Sequence, residues 1–289
     1  MSPGEPKLTR GIAVEAWRDM WRRPLMWLIL STSSLPLVFL FYFLIPGSPA
    51  TLYFVFLFVG YSVCFALYFL FWCMAVYFFD GQVRGKGGSS YGAAFGRMEN
   101  WAWPSFWAGL VSGLINVLAF MTAQMVVSLV LSFLAAGNAS TGGLIALTLI
   151  HFYLSYLVAD LVVVFIVLVP QMLSLERGRK LEEVLRASYR LVKERYKDAL
   201  VLFIIPEIVT RTLYLGASFA IYYVPGAGFI FALLLLSMAI LEGGRTAFVA
   251  AAFNRFYYHV LEEEKKKRKG KSKKQSAKKQ PTKKQTKKR

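Results

Sequence analysis

Long apolar runs alternate with short polar segments along this chain. A helical span needs about 20 predominantly apolar residues, and six of the runs reach that length. Runs of this kind are not the alternating apolar and polar pattern of a membrane β-strand. Helices satisfy their own backbone hydrogen bonds in lipid, so the pattern predicts an all-α integral membrane protein with six transmembrane helices. The runs cover residues 25–45, 51–79, 105–135, 143–175, 199–222 and 227–246.

Basic residues are concentrated in alternate connections between these runs. If each run spans once, one side of the membrane receives 33 of the 34 Lys and Arg residues, and the connections on the other side hold none. Cytoplasmic loops of membrane proteins are rich in Lys and Arg. The chain is therefore predicted to be a multi-pass protein of the cell membrane with both termini in the cytoplasm. The basic segments are residues 1–24, 80–104, 176–198 and 243–289.

The net charge of +18 comes mostly from the C-terminal end, where residues 265–289 contain 15 Lys or Arg residues and no acidic residue. Such a segment cannot form an apolar core. Three parts are therefore predicted: a cytoplasmic N-terminal amphipathic segment at 1–24, a six-helix membrane domain at 25–260, and a disordered polybasic cytoplasmic tail at 261–289.

The tail has several possible partners. The favoured partner is the lipid bilayer, whose anionic headgroups attract basic residues by about 1 kcal/mol each near the surface. A ribosome or another nucleic acid is less favoured, because phosphate contacts suit the charge but no aromatic residue is interleaved for base stacking. A third interpretation is a solvated topology signal with no dedicated partner.

Short motifs recur at equivalent places along the chain. Trp21–Trp27 and Trp101–Trp107 share the pattern W-x-x-P-x-x-W where a cytoplasmic segment enters a span. Leu175–Arg179 and Leu241–Arg245 share the pattern L-E-x-G-R where a span ends. These matches predict three units, each made of a cytoplasmic amphipathic helix followed by a helical hairpin.

Two cytoplasmic segments have the spacing of amphipathic helices. Leu181–Lys197 carries apolar residues at helical intervals with charges between them, which predicts a helix on the inner leaflet. Ile12–Trp21 is interpreted in the same way, through Val14, Trp17 and Trp21.

Small residues also recur at helical spacing in the third run. Ala108-Gly109 and Ser112-Gly113 form a small-xxx-small motif. Such motifs allow two helix backbones to approach closely, so this face is predicted to be a helix contact.

The layout resembles a loose group of six-helix membrane proteins that includes the membrane domain attached to some glycerophosphoryl diester phosphodiesterases. The resemblance rests on residues 179–203, with the stretch Glu182–Lys193 before a span, and on the overall arrangement. It implies a multi-pass membrane protein. It implies no catalytic residue, and no hydrolase domain accompanies it here.

Polar residues inside the runs are the candidate functional residues. An ionisable group near the bilayer centre costs at least ~2.5–3.5 kcal/mol, so it should face the bundle and find a partner. Arg211 is the one basic residue outside the cytoplasmic segments, and Glu207 lies one helical turn before it. Arg211 is therefore predicted to pair with Glu207 or Asp160. The candidate intramembrane polar cluster is Asn116, Asp160, Glu207 and Arg211.

Glu242 and Arg245 form a second candidate pair, which is predicted at the inner membrane interface. Both sets have two interpretations. The structural one is a salt bridge that fixes the register of neighbouring spans. The functional one is a polar pocket or permeation path, with Arg211 as the ligand of an anion or headgroup.

Enzyme motifs such as H-E-x-x-H, a P-loop or G-x-S-x-G are absent, so no enzyme activity, cofactor or metal is predicted. The first hypothesis is a scaffold or lipid-interacting protein at the inner leaflet. The alternative is a small-solute transporter or channel with a polar site around Arg211, Glu207 and Asp160. Inverted repeats would favour transport, but two-span units share one orientation, which slightly favours the first hypothesis. An insertase-like protein that binds ribosomes through its tail ranks third.

Overall fold

The structure is a computed structural model, and almost all of the chain that it describes is helical. It describes residues 5–43, 56–84, 90–134, 141–176, 179–223 and 228–278. The helices are α1 Glu5–Trp21, α2 Pro24–Phe43, α3 Tyr61–Val83, α4 Tyr91–Leu134, α5 Thr141–Val163, α6 Val169–Leu175, α7 Leu181–Glu194, α8 Tyr196–Tyr223 and α9 Gly228–Lys278. A π-helical turn, Phe56–Gly60, leads into α3, and a 3-10 turn, Val164–Ile166, follows α5.

Five helical segments are long and apolar enough to cross a membrane. The all-helical, membrane-compatible class is therefore confirmed. The first predicted span, 25–45, corresponds to α2, of which the part with described side chains, Pro24–Val38, is shorter than a span, so the count of six spans stays a prediction. The five segments are Phe58–Val83, Trp101–Ser132, Ala146–Leu175, Tyr196–Ala217 and Ala232–Lys266.

Six helices form a closed ring. In chain order, α2 contacts α3, α3 contacts α4, α4 contacts α5, α5 contacts α8, α8 contacts α9, and α9 returns to α2. Five of these six contacts join helices that follow one another among the six, and the sixth joins the last helix to the first. In addition, α3 and α9 touch across the ring.

Buried side chains fill one end of this ring, where α3 and α9 meet. Asn254 of α9 donates a hydrogen bond to the Val76 carbonyl of α3 at 2.7 Å, which fixes the two helices together. Nearby apolar side chains are fully buried, so this end holds the main core. They include Met74, Phe78 and Phe79 on α3 and Ala250, Phe253 and Phe256 on α9.

The basic segments meet at this filled end. Thr9 donates to Asp198 at 3.1 Å, Arg255 pairs with Asp19 at 2.6 Å, and Arg84 donates to Tyr258 at 2.9 Å. These contacts link described parts of all four segments that the charge pattern assigns to one side of the membrane.

The two segments that the sequence predicts to be amphipathic helices pack onto protein at this end. In α7, Val184, Leu191 and Val192 are buried, and Ser188 donates to the Phe165 carbonyl at 2.8 Å. The α7 face that was predicted to lie on the leaflet therefore contacts the 3-10 turn and α6 instead. The physical reason is that the apolar ends of neighbouring helices can bury the apolar face of α7 in place of lipid.

In α1, the packed face is a different one from the predicted face. Ile12, Ala16 and Met20 are buried, mainly against α9. Val14, Trp17 and Trp21, which the sequence singled out, are about half exposed.

The last helix runs beyond the predicted membrane domain. It continues to Lys278, so residues 261–278 are helical where the sequence predicts disorder. Lys, Glu, Gln and Ala are good helix formers, and extending a packed helix avoids the cost of nucleation. Residues 279–289 lie outside the described part of the chain.

Glycines set the closest approaches between ring helices. A Cβ atom on Gly109 of α4 would lie 2.7 Å from Phe69 Cβ and 2.8 Å from Ala66 Cα of α3. A Cβ on Gly113 would lie 3.1 Å from Ser62 Cα. The small-xxx-small motif thus forms a helix contact as predicted.

Gly109→Ala should lower the free energy of unfolding by about 1–3 kcal/mol, because the added methyl group meets the α3 backbone and forces α4 away. Thermal unfolding of the full chain in detergent would measure this loss.

Gly96→Ala is the matched control, since a Cβ at Gly96 in the same helix meets no atom within 4 Å. Alanine favours helix over glycine, so this variant should be unchanged or more stable. If Gly109→Ala and Gly96→Ala lower the free energy of unfolding equally, the close contact between Gly109 and α3 is refuted.

Candidate functional site

A cavity of about 130 Å³ lies inside the ring, and all six ring helices line it. This volume exceeds what one water molecule needs. The six candidate residues from both predicted sets line this one cavity: Asn116, Asp160, Glu207, Arg211, Glu242 and Arg245. The rest of the wall is mostly aromatic, with Tyr61, Phe65, Tyr68, Trp72, Phe152, Tyr153, Tyr156, Phe203 and Tyr214.

Arg245 holds the centre of the site. Its guanidinium forms ion pairs with Glu207 of α8 and Glu242 of α9, and its Nε donates to Glu242 Oε2 at 3.1 Å. Only 7% of the Arg245 side chain is exposed. Such a buried pair is stable when charge and geometry match, so Arg245 ties α8 to α9.

The pair that was predicted at the inner interface therefore contacts the candidate intramembrane polar cluster and lines the same cavity. The Glu242–Arg245 ion pair is present, but Arg245 also contacts Glu207, which the sequence analysis assigned to a separate set. Sequence spacing reveals partners three or four residues apart. It does not reveal a contact between two helices that depends on how they pack.

Arg211 pairs with Glu207, one of the two partners predicted for it. Its Nη2 lies 3.4 Å from Glu207 Oε2, and no ion pair joins it to Asp160 in the described residues. The guanidinium lies over two aromatic rings, 4.7 Å from the Tyr156 centroid and 5.7 Å from that of Tyr214. Cation–π contacts therefore supply part of its stabilisation.

Asp160 is the least satisfied charge of the cavity. It is 4% exposed, it forms no ion pair within the described chain, and its Oδ2 atom has no hydrogen-bond partner there. The described lining thus contains three carboxyl groups and two guanidinium groups. Arg245 and Arg211 both contact Glu207, and neither guanidinium lies within the 4.0 Å of an ion pair from Asp160 in the described structure.

Tyrosines complete the polar network, and they were not among the residues predicted from the sequence. Asn116 donates to the Tyr61 hydroxyl at 3.3 Å, and the Tyr214 hydroxyl lies 3.3 Å from Glu242 Oε2. Tyr68 hydrogen-bonds Thr246 at the filled end of the ring. Their position within apolar runs was a signal that could have found them. Tyr in membrane proteins prefers the interface, so a Tyr inside a run suggests a hydrogen-bond partner there.

No family model matches this sequence, and no curated protein or solved structure gives a significant match to it. The resemblance to the membrane domain of glycerophosphoryl diester phosphodiesterases therefore stays a prediction.

Arg245, Arg211 and Asp160 differ in how well their charges are paired, so removing each charge should change the free energy of unfolding by a different amount. Arg245→Met should lower the free energy of unfolding by about 3–5 kcal/mol, because it leaves the buried Glu242 without an ion-pair partner in the described lining and Glu207 with only its 3.4 Å contact to Arg211. Arg211→Met should lower the free energy of unfolding by about 1–2 kcal/mol, since Glu207 keeps Arg245 as a partner.

Asp160→Asn should lose no stability, because it removes an unpaired buried charge and retains the side-chain shape. Thermal unfolding of the three variants in one detergent would give the ranking. An Asp160→Asn loss as large as that of Arg245→Met would contradict the assignment of these partners.

Proposed function

We propose that this protein binds a small polar solute inside a membrane-embedded helix ring and acts as a transporter or channel for it. The supporting observation is that six polar residues from four runs line one cavity. A scaffold needs ion pairs but does not need an internal cavity around them. The alternative hypothesis from the sequence is therefore preferred over the first one.

Incomplete pairing within the cavity also supports solute binding. A cluster that only fixes helix register would be most stable with every charge compensated. Here Asp160 lacks an ionic partner in the described lining, and Arg211 keeps one carboxylate contact at 3.4 Å. Functional sites often keep interactions that lower the stability of the folded protein.

The filled end of the ring favours a gated transporter over a permanently open channel. Between the cavity and the basic segments, α3 and α9 pack together through Tyr68, Thr246 and Asn254. A solute held in the cavity would need these helices to separate before it could leave at that end. Such a change between two packed arrangements is how alternating access works in known transporters.

Contact with the lipid surface is a second proposed property, and α1 favours it. Trp17 and Trp21 are 55% and 50% exposed, and Trp21 packs edge-on against Trp27 at 5.0 Å. Exposed Arg10 and Arg18 lie on the same helix. Aromatic and basic residues together suit the headgroup region, and the polybasic tail would add to this attraction.

The membrane topology is proposed from the charge pattern: six spans, with both termini cytoplasmic. Reporter fusions at Gly47, Gly137 and Pro225 should read as external, whereas fusions at Gly87 and at the C-terminus should read as cytoplasmic. Reversed activity at any one site would overturn this arrangement.

Cysteine accessibility tests the proposed solute site. Asn116→Cys and Tyr153→Cys, each in a Cys64→Ala and Cys73→Ala background, should react with membrane-impermeant charged thiol reagents, because both positions line the cavity. Mass spectrometry of the protein in membranes would measure the extent of labelling.

Met125→Cys is the matched control. Met125 is 74% exposed on the outside of the same helix that carries Asn116, so lipid should shield it from charged reagents. If both cavity positions stay unlabelled, the cavity is closed to polar solutes and the proposed function fails.

A further inference from the structure

We propose that the solute of this cavity is a small organic cation of the ammonium class, and that Asp160 is the residue that binds its positive charge. This inference rests on the proposed function and specifies its ligand. It replaces the sequence-based hypothesis that Arg211 binds an anion or a headgroup.

The charge balance of the described lining points to a missing cation. Glu242 is paired with Arg245, and Glu207 contacts both Arg245 and Arg211. Asp160 is the remaining carboxyl group, more than nine-tenths buried, with an Oδ2 atom that has no hydrogen-bond partner among the described residues. Buried charges are normally paired, and a bound monovalent cation would supply the partner.

The wall around Asp160 has the chemistry of an organic-cation site. Phe152 and Tyr153 precede Asp160 on α5, and Tyr61 and Trp72 line the same cavity from α3, whereas the Tyr156 ring is already covered by Arg211. Ammonium groups bind to the faces of aromatic rings, and quaternary ammonium ligands are recognised by such cages. A small inorganic ion would gain less from so much apolar wall.

An anion fits the site less well. Both arginines of the described lining already contact carboxylates, and Arg211 also lies over Tyr156 and Tyr214. A bound anion would have to compete with Glu207 for the same guanidinium groups. A cation beside Asp160 displaces no existing ion pair.

Thiol reagents of opposite charge test this proposal, because their reaction rates can be compared without knowing the natural solute. Tyr153→Cys lies about two helical turns, or ~10 Å, from Asp160. Each reagent's rate with Tyr153→Cys is divided by its rate with a free thiol in solution. On this scale, a trimethylammonium methanethiosulfonate should react at least about tenfold faster than a sulfonate methanethiosulfonate. Adding Asp160→Asn should abolish this preference.

Glu182→Gln is the control for loss of a carboxylate, because Glu182 is exposed on α7 and pairs with Arg186 outside the cavity. It should leave the preference unchanged. Choline should also slow the labelling of Tyr153→Cys, whereas its neutral isostere dimethylbutanol should not. Thermal unfolding of each variant would verify that it is folded.

Equal reactivity with both reagents, or a cationic preference that survives Asp160→Asn, would overturn the cation assignment and leave a water-accessible solute site standing. Absence of labelling by either reagent would instead remove the proposed function itself.

Discussion

The ion pairs of Arg245 are the interaction on which the arrangement of the ring depends. Arg245 is buried on α9 and bridges Glu242 of its own helix and Glu207 of α8. In apolar surroundings, leaving either carboxylate uncompensated is costly, so α8 and α9 must keep this register. Two positions earlier, Gly243 brings α9 close to α2, where an added Cβ would lie 2.7 Å from Ser31 Cα. One short segment of α9 therefore fixes both of its ring neighbours.

This anchoring explains why the two ends of the ring differ. Beyond Arg245, α9 is bound to α3 through Thr246 and Asn254 and is covered by α1, which gives a filled core. On the other side of Arg245, helix contacts leave a cavity lined by aromatic and charged side chains. The three predicted units contribute unequally to it: α3 supplies mainly aromatic groups, whereas α8 and α9 supply four of its five charges. The charged site is therefore not repeated around the ring.

Much of this fold could be predicted from the sequence, because its signals are local. Lipid-compatible helices follow from run length and hydropathy, and the contact at Gly109 and Gly113 follows from residue size and helical period. The Glu242–Arg245 pair follows from its i,i+3 spacing. Even the six candidate polar residues were identified, because polar groups are rare in such runs.

Other features depend on how the helices pack, and no local pattern reveals them. Arg245 reaches Glu207 over 38 residues of chain, and the apolar face of α7 has the same periodicity whether protein or lipid covers it. The helical part of the tail was missed for a related reason. Its composition is that of a disordered segment, but the packed helix before it provides the nucleus.

A double-mutant cycle between Glu207 and Arg245 tests the central claim most directly. Free energies of unfolding would be measured in one detergent for Glu207→Gln, Arg245→Met and the double variant. We predict that the double variant loses less free energy of unfolding than the sum of the two single variants, with a coupling energy of about 0.5–3 kcal/mol. Additive losses, within about 0.3–0.5 kcal/mol, would show that the two residues do not interact and would contradict the account.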